Sequence, residues 1–164
     1  MGRLRSTLSL LLVVVATAGI VALGAIGGAL YWGRVLVRAQ QATRDALIPM
    51  AADQIPKVFG YDYQTVERSL GDAANYLTPE YRREFEDRVN KDIIPQARDR
   101  QVVAQANVVG VGLLDAQRDS GSVLVYMNRT ITDKSRQPAY DGSRLKVDYQ
   151  KVDGRWLINY IQPI

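Results

Sequence analysis

The sequence predicts an α+β domain carried behind a single N-terminal transmembrane helix, and three observations predict it. Residues Ser6 to Gly33 include no charged side chain. Between residues 47 and 93, apolar residues recur at spacings of three and four. Beyond about residue 101 the period shortens to two. Helical periodicity first and strand alternation afterwards describe helices packed on one face of a curved antiparallel sheet of about four strands.

As a helix the uncharged run would be roughly 42 Å long at ~1.5 Å per residue, against a bilayer hydrocarbon core of ~30 Å. Its dense part, Leu8 to Leu30, is almost entirely Leu, Val, Ile, Ala and Gly. A helix satisfies its own backbone in lipid, which an irregular segment cannot. Arg3 and Arg5 precede the run, Arg34 and Arg38 follow it, and Tyr31 and Trp32 fit an aromatic belt at its end. Ala16-Thr17-Ala18 has the small-x-small look of a signal-peptidase site, but signal-peptide apolar cores are only ~7–15 residues long and this run continues well past it. The expected organisation is a short cytoplasmic tail (1–5), a transmembrane helix (6–33), a juxtamembrane helical segment (34–60) and an extracytoplasmic α+β domain (61–164). The juxtamembrane segment contributes that domain's first helix. The flanking arginines nearly balance, so orientation rests on the tendency of long following domains to translocate regardless of charge.

Charge and composition narrow the function. The chain has 21 Lys and Arg against 17 Asp and Glu. Four of the basic residues are Arg3, Arg5, Arg34 and Arg38, and every acidic residue lies beyond them, so the domain is formally neutral. No block of like charge marks a nucleic-acid surface. The surplus sits where a membrane protein meets anionic headgroups. The chain has no Cys and no His, which removes disulfides, thiol nucleophiles, imidazole bases and the usual zinc sites. Any acid or base would be Asp, Glu, Lys or Tyr. No carboxylate pair stands out, and the sequence reading assigns no catalytic, cofactor or metal residue.

Three helical faces precede the strands. Leu47/Ile48, Ala51/Ala52, Ile55 and Val58/Phe59 form the first, interrupted by Pro49 and Pro56, which are expected to split it. Val66, Leu70, Ala73/Ala74 and Leu77 form the second, with Asp62 as its expected cap. Thr78-Pro79-Glu80 reads as a capped helix start, followed by Tyr81, Phe85, Val89 and Ile93 at intervals of four, with Pro95 expected to end it. The charges from Arg82 to Arg88 alternate in sign and read as a solvated face with local ion pairs.

Gln101–Leu114, Ser122–Asp133, Ser143–Val152 and Arg155–Gln162 are the strand candidates. Asp153-Gly154 supplies the two positive-φ positions of a tight turn. Trp156, Ile158 and Tyr160 are expected on one face after it, and Gly110 and Gly112 point to a bulge or bend. Two motifs remain. Gly24 and Gly28 form a small-xxx-small pair able to admit a neighbouring helix in the membrane, which is the basis for expecting self-association. Asn128-Arg129-Thr130 matches a glycosylation acceptor but falls in mid-strand. Apart from Tyr31, the tyrosines read mainly as core and rim packing, with lining of a pocket or a partner surface as the sharper alternative.

Taken in order, four stretches resemble the Mce-associated membrane proteins of mycobacteria and related actinobacteria. They are Phe59-Gly60-Tyr61-Asp62-Tyr63-Gln64-Thr65 leading to Leu77-Thr78-Pro79-Glu80-Tyr81-Arg82; Val108-Val109-Gly110-Val111; Val123 to Thr130; and Ser143-Arg144-Leu145 running into Val152-Asp153-Gly154-Arg155-Trp156-Leu157 and Pro163. The resemblance implies a cystatin-like cone domain of the nuclear-transport-factor-two type, outside the plasma membrane on a single-pass anchor. It also implies a non-enzymatic accessory role, stabilising or assembling an Mce-type lipid importer through contacts with Mce subunits and their permease. Pro49 and Pro56 depart from the Ala-rich first helix of that pattern. Two other readings stand beside it: a domain that binds a lipid or small ligand in its cone, and a scaffold subunit analogous to type IV secretion inner-membrane components. An enzyme using Asp and Tyr in the cone is a distant fourth.

Overall fold

A computed structural model describes residues 37–38 and 40–164. Two compact units divide the chain, Met1–Ala39 and Gln40–Ile164, and the second contains all the strands named below. Among the described residues no helix is long and apolar enough to cross a membrane. The transmembrane expectation for 6–33 lies outside the described residues.

The second unit opens with helix α1 (40–59), which presses one face onto the sheet. Leu47, Ala51 and Ile55 are fully buried and Val58 nearly so. The expected split does not occur: α1 runs unbroken through Pro49 and Pro56. Each proline deprives the carbonyl four residues earlier of its donor, and those carbonyls belong to Asp45 and Ala52, both on the exposed side where water can serve them. Interior prolines cost about 3 kcal/mol each, while burying a large aliphatic side chain returns about 1.5–3 kcal/mol. Three such side chains on the packed face offset the two prolines, so tertiary contact holds the helix that propensity would break.

Gly60 closes α1, its amide donating to the Pro56 carbonyl at 2.8 Å. A two-residue strand follows, β1 (Tyr61–Asp62), paired antiparallel with Val103 and Ala104. It makes the sheet five-stranded rather than four-stranded, being too short to show alternation in the sequence. Asp62 does not cap the next helix. Its carboxylate instead accepts from the Gln64 amide at 2.8 Å in a local turn, and α2 (Val66–Ala73) starts after Thr65. A short 3₁₀ turn (Ala74–Tyr76) then brings Leu77 beside Ile158, and the Thr78 amide donates to the Ile158 carbonyl at 2.9 Å. The Thr78 hydroxyl accepts from the Tyr81 amide, and Pro79 opens α3 (Pro79–Arg88).

Pro95 does not end the third helical face. Val89–Ile93 forms a π turn, after which α4 (Ile94–Arg100) resumes with Pro95 in its first turn. The wider turn breaks the hydrogen-bond register just before the proline, so its missing donor falls where a helix start leaves donors unmatched anyway. Gln101, at φ 52°, terminates α4 in the left-handed region.

The sheet is an antiparallel meander in the order β1-β2-β3-β4-β5, with β2 Val103–Ala116, β3 Ser120–Thr132, β4 Ala139–Val152 and β5 Arg155–Pro163. Val123, Val125 and Met127 of β3 meet Leu145, Val147 and Tyr149 of β4 on the face that carries the helices. The β2–β3 register slips between Val108 and Gly110 and again between Leu113 and Asp115, so the bulged residues are Val109 and Leu114 rather than the glycines. Such bulges bend the strand and deepen its twist. Asp153 (φ 50°) and Gly154 (φ 79°) form the β4–β5 turn, with Val152 opposite Arg155. A further slip beside Asp148 and Tyr149 ends the expected alternation of β5: Ile158 faces Tyr149 in the core, the next buried residue is Ile161, and Tyr160 sits opposite Asp148, half exposed.

Helix α1 and the sheet are in tight contact at Gly121. A Cβ there would lie 2.5 Å from Leu47 Cδ1 and 3.0 Å from the Asp115 carbonyl oxygen. Thr43 donates to the Gln117 carbonyl at 2.7 Å beside this contact, and Tyr149 donates to Gln54 Oε1 at 3.3 Å farther along the helix. The Gly121→Ala substitution is expected to cost about 1–3 kcal/mol by overpacking, and Leu47→Ala about 2–5 kcal/mol by cavity formation. Because the truncation vacates the space the new methyl needs, the double variant should cost clearly less than the sum in denaturant unfolding; strict additivity would contradict the contact.

The β3–β4 connection is tied down electrostatically. Ser135, through its hydroxyl, and then the Arg100 guanidinium hold the Asp133 carboxyl at about 2, below its ordinary 3.8. A carboxyl depressed on folding contributes stability present above its unfolded value, and that contribution is lost as pH falls through the folded value. The Asp133 carboxyl resonance should therefore titrate near 2, and Arg100→Gln or Ser135→Ala should move its midpoint upward; an ordinary midpoint in the unaltered protein would refute the clamp.

Candidate functional site

Where the curved sheet and the helices diverge, a cavity of about 270 Å³ remains. Val58 and Phe59 at the end of α1, Tyr61 of β1, Leu70 of α2, Tyr81 and Phe85 of α3 and Ile93 form its apolar walls, with Ile161 and Pro163 of β5 across from them. Two guanidiniums complete the lining, Arg88 of α3 and Arg129 of β3, and the lining includes no carboxylate.

Arg129 occupies the inward phase of β3. The strand points Val123, Val125 and Met127 into the core, and the next position in that series is Arg129, opposite Ala106 on β2 and Asp141 on β4. Its Nη2 donates to Asp141 Oδ2 at 3.0 Å, and that oxygen also accepts from the Ser143 hydroxyl at 3.1 Å. Arg129 Nε is buried without a hydrogen-bond partner. Arg88 pairs outward, its Nη2 lying 2.6 Å from Glu84 Oε1 one helical turn earlier. Burial pushes the Tyr61 phenol above its ordinary range, with the Arg129 charge pulling the other way. Burial does the same to Tyr81, with Arg88 as the largest opposing influence. Both phenols therefore stay protonated at neutral pH and can donate a hydrogen bond. The result is an apolar chamber whose fixed charges are both positive.

Two other surfaces differ in character. Near the β2–β3 turn, Asp115, Asp119 and Asp148 with Ser120, Ser122 and Asn159 border an open polar hollow of about 440 Å³. Among the described residues no group of three or more His, Cys, Asp or Glu is placed to hold a metal ion. Elsewhere on the sheet, Val109, Leu114, Tyr126 and Tyr140 are exposed, the first two as the bulge residues of β2.

Of the residues singled out from the sequence, Gly24, Gly28, Arg3, Arg5, Tyr31, Trp32 and Arg34 lie outside the described residues. Arg38 is helical and exposed. Asp153 and Gly154 make the last hairpin, and Trp156 packs at the core's margin with Lys151 Nζ 5.6 Å from its ring centroid. The tyrosines divide: Tyr149 is core, Tyr61 and Tyr81 line the cavity, and Tyr160 meets Tyr81 edge-on at 5.5 Å between centroids. Arg129 was not singled out from the sequence, where it falls inside an acceptor tripeptide and the Val123 to Thr130 stretch. The signal available was its phase: it continues the inward series of β3.

No protein-family model matches the chain. It is 28% identical over 137 residues to the outer membrane protein Rv1973 of Mycobacterium tuberculosis, covering 84% of this chain and 86% of that one. It is also 26% identical over 120 residues to the uncharacterized protein Rv1362c of the same organism, covering 73% of this chain and 54% of the relative. In fold it is similar to an IcmL-like type IV secretion system protein of Legionella pneumophila, with TM-score 0.64 and 12% identity over 74% of this chain and 93% of that one. It is also similar to CagV, a VirB8 homolog of Helicobacter pylori, with TM-score 0.58 and 13% identity over 71% and 95%. Agrobacterium tumefaciens VirB8 gives TM-score 0.54 and 14% identity over 68% and 84%. The chain thus has mycobacterial homologues and the α+β fold of VirB8-type domains.

Arg129 gives little to stability by this geometry, since its ion pair is partly solvated and its Nε is unmatched. Arg129→Met keeps the length and apolar stem and leaves Asp141 half exposed and bonded to Ser143, so the unfolding free energy is expected within about 1 kcal/mol of the parent. A loss above about 2 kcal/mol on denaturant unfolding would assign Arg129 a structural role instead.

Proposed function

We propose that this chain is a non-enzymatic accessory subunit of the cell envelope that stabilises or assembles an Mce-type lipid importer. In this reading the uncharged run from Ser6 to Gly33 is a single-pass anchor in the plasma membrane, and the α+β domain stands outside it. The observation that supports a membrane role is the similarity, over 84% of the chain, to a mycobacterial protein named an outer membrane protein, while the Mce link rests on the four stretches of resemblance. The four stretches that resemble Mce-associated proteins also fall at joints of the fold. Thr78 caps α3, Val109 bulges β2, Val123 to Thr130 is the central strand, and Asp153-Gly154 turns the last hairpin.

A scaffold needs a rigid domain and surface to dock with, not a reactive centre. The absence of Cys and His from the sequence leaves few routes to hydrolytic or transfer chemistry, in keeping with a docking role. The VirB8-type fold favours a second, related reading, a scaffold subunit analogous to type IV secretion inner-membrane components. Partner identity separates the two.

Gentle solubilisation of native membranes and recovery through a C-terminal tag should bring down Mce subunits and their permease. Deletion should lower the level of those subunits and slow lipid uptake. Unchanged subunit levels and uptake in the deletion strain would end the Mce reading, and co-recovery of secretion components would favour the alternative.

A further inference from the structure

We propose that the cavity is a binding site for an amphipathic monoanion, a carboxylate on a short apolar chain, with Arg129 as the residue that receives the head group. This goes beyond the accessory reading and does not depend on which partners the protein has.

Charge selects the sign of the ligand. Arg88 and Arg129 are on the wall, no carboxylate is, and the carboxylates that partner them, Glu84 and Asp141, lie outside the lining. A cationic amine would meet two guanidiniums and no carboxylate on the wall to pair with. An anion meets two guanidiniums whose own carboxylate partners stand off the wall. Asp141 takes a single hydrogen bond, from Nη2, so the guanidinium keeps N–H donors beyond that bond for a carboxylate, the acceptor whose geometry it suits best. Protonated Tyr61 and Tyr81 add hydroxyl donors to the same lining.

The rest of the wall selects the tail. Val58, Phe59, Leu70, Phe85, Ile93 and Ile161 offer no polar side-chain atom, so the body of the ligand must be apolar. Size sets its length. At about 270 Å³ the cavity sits just under the ~300–1,000 Å³ range of small-molecule sites. That accommodates a short acyl chain or a single ring and is small for a sterol or a two-chain lipid.

Equilibrium dialysis of the full chain in lipid nanodiscs against radiolabelled octanoate, with empty nanodiscs as the blank, tests the assignment. The unaltered protein should show a saturable site of one octanoate per chain, not displaced by an equal concentration of octanol. Arg129→Met should weaken binding at least tenfold, and Arg88→Gln, a change at an exposed side chain, several-fold. Absence of saturable binding above the blank would overturn the proposal. So would displacement by octanol as effective as by unlabelled octanoate, which would leave only an apolar crevice. Binding within twofold of the parent in Arg129→Met would remove Arg129 from the site. If circular dichroism shows Arg129→Met to be unfolded, Arg88→Gln and the octanol competition decide the question between them.

Discussion

The packing of α1 against the inner face of the sheet is the constraint on which the rest of the unit depends. It is tight at Gly121, where Leu47 lies in the space a side chain would need and Thr43 is bonded to the neighbouring turn. From that contact the helix runs over Tyr149, reached by Gln54, to Val58 and Phe59 at the cavity. Burial of one continuous stripe explains how a segment with two interior prolines stays helical. It also fixes the direction in which α1 delivers Gly60 and Tyr61 to the edge of β2. A separate helix on either side of Pro56 could not hold both ends of this arrangement.

Curvature then creates the chamber. The two bulges in β2 and the slip beside Tyr149 bend the meander, and a bent sheet cannot touch a straight helical layer along its whole length. The tight end is filled by Leu47, Tyr149 and Ile158, all fully or almost fully buried. The other end, past Met127 on β3, is where Arg129 projects and where α3 supplies Tyr81, Phe85 and Arg88. Leu77 and Thr78 tie the start of α3 to β5 at Ile158.

Much of this was legible in the chain. The stripe from Leu47 to Val58, the Thr78-Pro79 start, four strands and the Asp153-Gly154 turn are short-range signals, each set by a period or by local dihedral chemistry. What escaped depended on distant contacts. Strand β1 is defined only by its partner Val103–Ala104, and the continuity of α1 only by the core beneath it. The π turn before Pro95 and the slip that turns Tyr160 out of the core are one-residue adjustments no period reveals. The cavity was legible at one level and missed at another. Alternation predicts that the residue after Met127 on the inward face is Arg129, yet the motif around it directed attention to Asn128. The anchor, with Gly24 and Gly28, was read from composition alone.

An inward-facing arginine on a central strand is an inconsistency between local pattern and polarity, and such inconsistencies mark function more often than structure. The alternatives can be weighed on their costs. A methionine of similar length would fill the same volume without a buried, unmatched N–H, and an arginine kept only for Asp141 would gain the small return of a partly solvated pair. Neither accounts for an arrangement that places a second guanidinium, Arg88, on the same wall and the balancing carboxylates off it. A wall that offers guanidinium donors and no carboxylate to an apolar chamber does account for it, because an anion with an apolar body finds both a charged partner and a place for its tail there. A docking domain built this way would carry a chemical input as well as a surface: occupancy would bridge α3 to β3, the two elements that face each other across the chamber. Its effect on assembly would follow from how far that bridge favours one spacing of helix and sheet over another.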